Sequence, residues 1–512
     1  MSNKNRLKSG GRIDRLTKIN FLFNGKKYSG FKGDTLASAL IANDIKVIAR
    51  SFKYHRPRGI IGVGVEDPAS LIELLGDDAS GNNLTTTVLL KEGLEVKSIN
   101  CWPSVNFDLG AITQMFARFI PAGFYYKTFK WPTWHLFEPS IRKAAGLAAA
   151  PENPPKTGHY ESRNSHCDVL IIGAGLAGLI STLMAGRAGA RVILVDQNSE
   201  AGGHLLNSKI HINDNAGLDW VSKVVEEIAK MPNVIHMQNS TAWAYREHNL
   251  VIVNQREIND SPIIERSWRI RTKKTVIATG AMERALVFSN NDRPGVMLAS
   301  AIQGYINRYA VKPGNDVVIF TNNNSAYHCV QDFLDSGINV VAIVDTRSEI
   351  SQKIIATVPD IKIFTGAVIK NIIGYKKVKS VVIESTIDQK LQTISCDLVA
   401  HSGGWNPTIH LHSQSRGTVR FDENIAAFVP DKNVQNSSVI GAANGSFVFN
   451  KIVGETQEIM KEIVANLNLD LKFEDSIEAE DHSYSIQPFW HASLSNEKNK
   501  AFFDIQNDVT FD

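Results

Sequence analysis

The sequence predicts an α/β protein with an α+β N-terminal module. A strand, a turn, a second strand and a helix are readable in residues 19–44. The order strand, loop, helix, strand then occurs twice, at residues 167–198 and 315–347. A chain of 512 residues has room for three to four domains of about 100 to 200 residues each.

Composition excludes several classes of protein. Hydrophobic residues make up 43% and charged residues 21%, which is typical of a globular chain. The net charge is +3, so no large single-sign field favours a nucleic acid or a membrane as partner. The N-terminus lacks the apolar region of a secretory signal, and no stretch is long and apolar enough to span a membrane. A cytoplasmic protein is expected.

Residues 1–105 predict a β-grasp module. Asn24-Gly25 forms a turn between two strands, and a helix begins after Asp34-Thr35. In plant-type ferredoxins the segment after this helix carries cluster-binding cysteines, but residues 47–68 contain none. Cys101 alone cannot hold a cluster. We therefore expect a ferredoxin-like β-grasp domain without an iron–sulfur cluster.

Two further features of the N-terminal half leave alternatives open. His55, Arg56 and Arg58 could clamp a phosphate or a flavin, since arginine gives bidentate contacts to phosphate, or they could dock domains or subunits together. Residues 106–165 combine an aromatic-rich stretch with Pro151, Pro154 and Pro155. They are expected to be a packed connector followed by a stiff linker.

The first strand, loop, helix, strand unit carries a dinucleotide fingerprint. An apolar strand at 169–172 leads into Gly173, Gly175 and Gly178 at G-x-G-x-x-G spacing. The second apolar strand ends at Asp196, where a carboxylate can accept hydrogen bonds from the adenosine ribose. The motif predicts NAD or FAD, and the carboxylate disfavours the 2′-phosphate of NADP.

The second unit lacks these glycines. Thr321, Asn323 and Ala326 stand at the three glycine positions, and Asp345 ends the second strand. A threonine at the tight turn and an asparagine beneath a pyrophosphate would obstruct close approach of the backbone. A Rossmann-like domain that has lost its cofactor is favoured over one that binds another nucleotide in a shifted pose.

The two units are expected to be nested. Strands ending near residues 278 and 441 would leave and re-enter the first domain, which is the plan of glutathione-reductase-type, two-dinucleotide flavoproteins. Those proteins commonly end the late strand in Gly-Asp, whereas Asn444 and no acid stands here. NAD without an adjacent flavin is therefore plausible. The expected boundaries are a NAD-binding Rossmann-like domain at 166–300 and 397–470, an inserted Rossmann-like domain at 301–396, and a C-terminal extension at 471–512.

At this point the sequence resembles the α subunit of heterotetrameric sarcosine oxidase. The stretches that carry the resemblance run from end to end in family order. They are SFKYHRPRG (51–59), NCWPS (100–104), AGFYYKTFKWP (122–132), GAGLAGL (173–179), AGGHLL (201–206), ATGAMERALVFSNNDRPGVMLA (278–299), SGGWNPTIHLHSQ (402–414) and KAFFDIQNDVT (500–510).

The resemblance implies an oxidoreductase complex acting on CH–NH groups. Its α subunit would hold NAD, FAD would lie in the β subunit, FMN would lie at the α/β interface, and γ and δ subunits would complete the assembly. Sarcosine would be oxidised on the β subunit to glycine, with formaldehyde or methylene-tetrahydrofolate and hydrogen peroxide as products. The sequence stops at Asp512, where family chains continue into a folate-binding domain. A fragment, or a folate domain on a separate polypeptide, is expected.

The resemblance also implies a set of cofactor-binding residues. They are Gly173, Gly175, Ala177, Gly178, Asp196, Gln197, Asn198, His204, Leu205, Ala242, Trp243, Gly441, Ala442 and Asn444. Gln197 replaces a frequent family glutamate. The residues themselves predict no catalytic residue and no metal ligand in this chain, because no nucleophile constellation is present and His410 and His412 have no third ligand beside them. The alternative function is an FAD-dependent amine, opine or proline dehydrogenase, with FAD in this chain, acting alone or as a subunit.

Overall fold

The computed structural model describes residues 3–76, 79–112, 131–144, 159–256, 263–473, 475–480, 482–492 and 499–511. The aromatic run at 122–130 and the proline-rich linker at 151–155 lie outside these ranges. The chain divides into two compact units. Unit 1 comprises residues 1–156, 284–403 and 487–512, and unit 2 comprises residues 157–283 and 404–486.

The N-terminal part of unit 1 is a mixed five-stranded sheet with a helix beside it. The sheet order is β2-β1-β7-β5-β6, with β1 parallel to β7 and the other neighbours antiparallel. All seven residues of the helix are buried, and Thr35 caps it by accepting a hydrogen bond from the Ser38 amide. The predicted strand, turn, strand, helix order is observed. The elements are β1 (Asp14–Phe23), β2 (Lys26–Lys32), α1 (Leu36–Ala42), β3 (Ala49–Arg50), β4 (Pro57–Arg58), β5 (Leu71–Leu74), β6 (Ser80–Leu84), β7 (Glu95–Ser98) and α2 (Trp134–Ala144).

Unit 2 begins with a doubly wound arrangement. Its elements are β8 (His159–Ile172), α3 (Leu176–Arg187), β9 (Val192–Val195), β10 (His211–Ile212), β11 (Asn215–Ala216), α4 (Gly217–Ala229), β12 (Val234–Met237), β13 (Ser240–Arg246), β14 (Leu250–Arg256), β15 (Ile263–Ile277) and β16 (Ala281–Glu283). The sheet order is β12-β9-β8-β15-β14-β13. Strand β8 begins at His159, earlier than the apolar pattern at 169–172 indicates, because its polar first half pairs in parallel with β15.

Residues 284–403 return to unit 1 and form a second parallel sheet with order β17-β24-β18-β19-β20. A three-stranded antiparallel sheet, β21-β22-β23, accompanies it. The elements are β17 (Val296–Leu298), α5 (Ala299–Asn307), β18 (Asp316–Thr321), α6 (Val330–Asp335), β19 (Asn339–Asp345), α7 (Gln352–Ile355), β20 (Ile363–Phe364), β21 (Ala367–Gly374), β22 (Val378–Ser385), β23 (Leu391–Ser395) and β24 (Leu398–Ser402).

This sheet corrects two expected domain boundaries. Strand β17 falls within the expected 166–300 segment and β24 within the expected 397–470 segment, yet both belong to the second sheet. The reason is that β24 is buried along its whole length and pairs with β17 on one side and β18 on the other. The chain passes between the units at 283/284 and 403/404.

Residues 404–486 complete unit 2, and the C-terminal residues rejoin unit 1. Strand β28 (Ser437–Val439) pairs in parallel with the end of β15 and thereby returns the chain to the sheet of unit 2. The elements are β25 (Trp405–Pro407), α8 (His410–Gln414), β26 (Thr418–Asp422), β27 (Ala427–Lys432), β28 (Ser437–Val439), α9 (Phe449–Asn466), β29 (Phe502–Asp504) and β30 (Val509–Thr510). Among the described residues, no helix has the length and apolar character needed to cross a membrane.

Candidate dinucleotide site

The glycine loop of unit 2 joins β8 to α3. Gly173 has φ of 105°, and a Cβ on it would lie 2.3 Å from the Ala278 carbonyl oxygen. A Cβ on Gly178 would lie only 1.8 Å from the Gly173 carbonyl oxygen. Both positions therefore require glycine. The packing of helix, strand and loop is as close as a dinucleotide-binding turn needs.

Helix α3 presents its N-terminus at this loop. Gly175 is its N-cap with extended backbone, and neither a side-chain cap nor an acidic residue occupies the first turn. The first amide groups of the helix are thus not covered by a side chain. Unsatisfied N–H groups and the positive end of the helix dipole favour a phosphate at such a position.

Asp196 follows β9 and bonds to the loop itself. Its carboxylate accepts hydrogen bonds from the amides of Ala174 at 2.6 Å and Asn198 at 2.7 Å. Burial raises the pKa of Asp196, and these two bonds oppose that rise. Gln197, the next residue, is exposed. Asp196 therefore organises the glycine loop, and its contact with a ribose stays a prediction.

His204 and Leu205 lie in a short 3₁₀ helix, Gly203–Leu206, beyond β9. The His204 ring meets the Trp405 ring edge-on, with 5.6 Å between centroids, and lies 6.4 Å from the Phe449 ring. Leu205 is buried in the core of unit 2. Of these two predicted residues, only His204 has an exposed side chain that a ligand can reach.

Ala242 and Trp243 lie on β13. Trp243 is 52% exposed and lines a groove of about 670 Å³ with Gln414, Arg416 and neighbouring residues. No glycine-loop residue lines this groove among the residues described. Ala242 is half-buried. Trp243 thus lines a groove that is separate from the glycine loop of residues 173–178.

The last predicted residues form a 3₁₀ helix, Gly441–Asn444, after β28. Gly441 has φ of 66°, and a Cβ on it would lie 3.1 Å from the Ala177 Cβ. Because Ala177 is in the first turn of α3, this close approach brings the 3₁₀ helix beside the glycine loop. Ala442 is half-buried. The Asn444 Nδ2 donates a hydrogen bond to Glu455 at 2.7 Å.

The glycine-free loop of unit 1 is filled by the chain itself. The Asn323 Nδ2 donates to the Ser402 carbonyl oxygen at 3.1 Å. The Asn322 Nδ2 donates to the carbonyl oxygens of Gln487 and Phe489, each at 3.0 Å. The C-terminal segment therefore bonds to the loop on which a dinucleotide would lie.

Asp345 completes the closure of this second loop. It is fully buried and accepts hydrogen bonds from Arg347 at 2.7 Å and from the Tyr327 hydroxyl at 2.9 Å. Burial and the neighbouring carboxylate raise the pKa of Tyr327. A carboxylate paired in this way has little capacity left for ribose hydroxyls. This geometry favours the expectation of a Rossmann-like domain without a cofactor.

Arg56 and Arg58 form a buried network within unit 1. Asp292 accepts hydrogen bonds from Arg56 at 2.6 Å and from Arg58. Asp508 accepts from Arg58 and from the Lys53 amide at 2.8 Å. The two arginines therefore join the N-terminal module to the 284–295 segment and to the C-terminal hairpin, which is the docking alternative of the sequence prediction.

The β-grasp module does not contain a ligand set for an iron–sulfur cluster. Cys101 is the one cysteine in residues 1–105. Burial raises the pKa of its thiol to about 11, with Asp108 adding to the rise, so the thiolate that a cluster needs is disfavoured. The described residues contain no group of three histidine, cysteine, aspartate or glutamate side chains arranged for a metal.

Three residues whose contacts are described above, Asp292, Asp508 and Glu455, were not singled out by the sequence prediction. Asp292 and Asp508 lie in stretches that resemble the family, DRPG and QNDVT, but nothing in the stretches themselves indicated that both would meet Arg58. Glu455 carries no local signal at all.

The fold and the loop geometry are those of a Rossmann-type dinucleotide-binding domain. A model of the pyridine nucleotide-disulphide oxidoreductase family matches residues 167–439, and the chain belongs to this family. A model of the 2Fe-2S iron-sulfur cluster binding domain matches residues 17–101. An N-terminal ferredoxin-like domain followed by a Rossmann-type fold that can bind flavin and pyridine nucleotide is therefore confirmed. The N-terminal match concerns the fold, because residues 1–105 contain one cysteine and cannot supply the ligands of a cluster.

The chain is similar to two curated proteins named sarcosine oxidase subunit alpha. The protein of Rhizobium meliloti (strain 1021) is 40% identical over 98% of this chain and 52% of its own length. That of Corynebacterium sp. (strain U-96) is 34% identical over 85% of this chain and 42% of its own length. The predicted resemblance is confirmed. The chain spans about half the length of these relatives.

One solved structure matches most of the fold. L-Proline dehydrogenase from P. horikoshii superposes with a TM-score of 0.62 at 19% identity, covering 92% of this chain and 77% of that protein. At this identity the match concerns architecture alone.

Proposed function

We propose that this chain is the NAD-binding part of an alpha-type subunit in a heteromeric, cytoplasmic sarcosine oxidase. The observation that carries the proposal is the 40% identity to the Rhizobium meliloti protein, which extends over 98% of this chain. The net reaction converts sarcosine, water and dioxygen into glycine, formaldehyde and hydrogen peroxide. Tetrahydrofolate, when present, takes up the one-carbon group as methylene-tetrahydrofolate.

In this proposal the chain binds NAD and a partner oxidises the amine. Ala177, Gly178 and the amides at the start of α3 hold the pyrophosphate, and His204 lies beside the same loop, because its neighbour Gly203 packs against Gly175. Beta, gamma and delta subunits complete the enzyme, with FAD in the beta subunit and FMN at the interface of alpha and beta. When bound, NAD supplies either a fixed structural element or a hydride acceptor.

The absence of the Gly-Asp carboxylate supports NAD over FAD in this chain. Asn444 occupies the aspartate position, and its amide bonds to Glu455. A second carboxylate beside Glu455 would be repelled. The alternative of an FAD-dependent dehydrogenase acting on an amine, an opine or proline requires a flavin site that this arrangement does not favour.

The test is co-expression of this chain with its candidate partner subunits, followed by measurement of sarcosine-dependent hydrogen peroxide production. We expect turnover by the purified complex and none by this chain alone. Oxidation of an amine or of NADH by the isolated chain, with FAD bound to it, would instead support the alternative.

A further inference from the structure

Glu455 lies behind Asn444 in unit 2 and contacts it directly. One carboxylate oxygen of Glu455 accepts from the Asn444 Nδ2 at 2.7 Å, and the other accepts from the Ser446 hydroxyl. Gly445 lies between Asn444 and Ser446 in the chain and has φ of 84°, so the backbone turns at this residue. Both oxygens of the half-buried Glu455 carboxylate thus accept hydrogen bonds from the turn at residues 444–446.

This contact fixes the orientation of the Asn444 amide. An ionised carboxylate only accepts hydrogen bonds, so the NH₂ group must face Glu455 and the carbonyl oxygen must face away. Within the described residues, the Asn444 Oδ1 receives no hydrogen bond. The side chain therefore offers a neutral acceptor whose direction is set by Glu455.

Asn444 is the last residue of the four-residue segment that begins at Gly441. Gly441 has φ of 66° and lies against Ala177 in the first turn of α3. The segment that carries Asn444 therefore borders the candidate dinucleotide crevice.

We propose that Glu455 is a positioning residue that directs the Asn444 Oδ1 toward a hydroxyl of the second ribose of NAD. This inference rests on the proposed NAD binding. The pair is coupled, because an aspartate at position 444 would lie against the Glu455 carboxylate and one of the two would have to bind a proton. An ionised aspartate at position 444 is tolerated beside position 455 only when the residue at 455 carries no charge.

The test measures NAD binding to the full chain by calorimetry in four variants. E455Q can turn its amide either way and frees the Asn444 amide to flip, so we expect affinity to fall about tenfold. The affinity of N444D for NAD should fall by at least the same factor. In N444D/E455Q the glutamine can donate to the new carboxylate, so affinity should recover about tenfold relative to N444D. E458Q, at an exposed position of the same helix, is the matched control and should bind as the wild type.

The effect of E455Q on NAD affinity should have opposite signs in the wild-type and N444D backgrounds, and this reversal separates a positioning role from a loss of stability. E455Q should weaken binding in the wild-type background and strengthen it in the N444D background, which loss of stability alone does not produce. If the two substitutions act additively, or both behave like E458Q while the wild type binds NAD, the inference is overturned and the proposed function stands. If the wild type binds no NAD, the proposed function itself fails.

Discussion

At the residue scale, the glycines of this chain differ in whether a side chain at the same position would clash with its surroundings. A Cβ on Gly178 would collide with the backbone of Gly173, whereas a Cβ on Gly454 in α9 would meet nothing within 4 Å. Glycine at the first position permits the helix to pack against the loop, and glycine at the second only adds conformational freedom to the unfolded chain. The same residue type thus has opposite consequences at two positions of unit 2.

We expect G178A to lower the thermal midpoint and to weaken NAD binding more than tenfold. The cause is the 1.8 Å approach to a carbonyl oxygen, which forces the loop and helix apart at a cost of about 1–3 kcal/mol. Differential scanning fluorimetry and calorimetric titration with NAD measure the two effects. G178A that binds NAD with wild-type affinity would contradict the assignment of this loop.

G454A is the matched substitution. We expect it to raise the stability of the protein by about 0.5–1 kcal/mol without changing NAD affinity, because Gly454 is exposed in the interior of a helix. A lower midpoint for G454A would show that this position is more constrained than the structure indicates.

At the scale of elements, buried charges join segments that are distant in sequence. Asp508 follows β29 and meets Arg58 of β4, while the Phe502 ring lies 4.7 Å from the Arg58 guanidinium. Removing one partner of a buried pair leaves an uncompensated charge, which costs more than the pair itself contributes. This network therefore ties the C-terminal hairpin to the rest of unit 1, together with the burial of Phe502 in the core.

We expect D508N to destabilise unit 1 by about 3 kcal/mol, since it leaves Arg58 short of a partner. D388N, which removes an exposed ion pair with Lys390, should change stability by less than about 1 kcal/mol. Limited proteolysis of the C-terminal segment reports the difference. Equal protease resistance in the two variants would remove the proposed anchoring role of Asp508.

The same network predicts a pH dependence. Burial opposes ionisation of Asp292, but the charges of Arg56 and Arg58 overcome it and hold the pKa well below the usual 3.8. Since the folded-state pKa is depressed, this stabilisation is present above pH 3.8 and is lost as the pH falls toward the folded value.

D292N should therefore melt at a lower temperature than the wild type at neutral pH. It should also lose less of its stability than the wild type does on acidification below about pH 4. Thermal scans across this range measure both curves. Parallel curves would mean that another carboxylate dominates the acid response.

At the scale of the whole molecule, the sequence predicts the class of fold better than its boundaries. Apolar strand patterns located both α/β units and glycine spacing marked the first, because these patterns are local. The polar first half of β8 was not recognised, since its order comes from pairing with β15, about one hundred residues away in the chain. Glu455 and Asp508 were missed for the same reason: their roles depend on partners that only the folded chain brings near.

The proposal that this chain carries NAD and no flavin can be decided by identifying the nucleotide that the purified protein contains. The chain is purified alone, its visible absorption is recorded, and the nucleotide released by denaturation is identified and counted. We expect a colourless protein that releases NAD, up to one per chain. A yellow protein that releases stoichiometric FAD would contradict it.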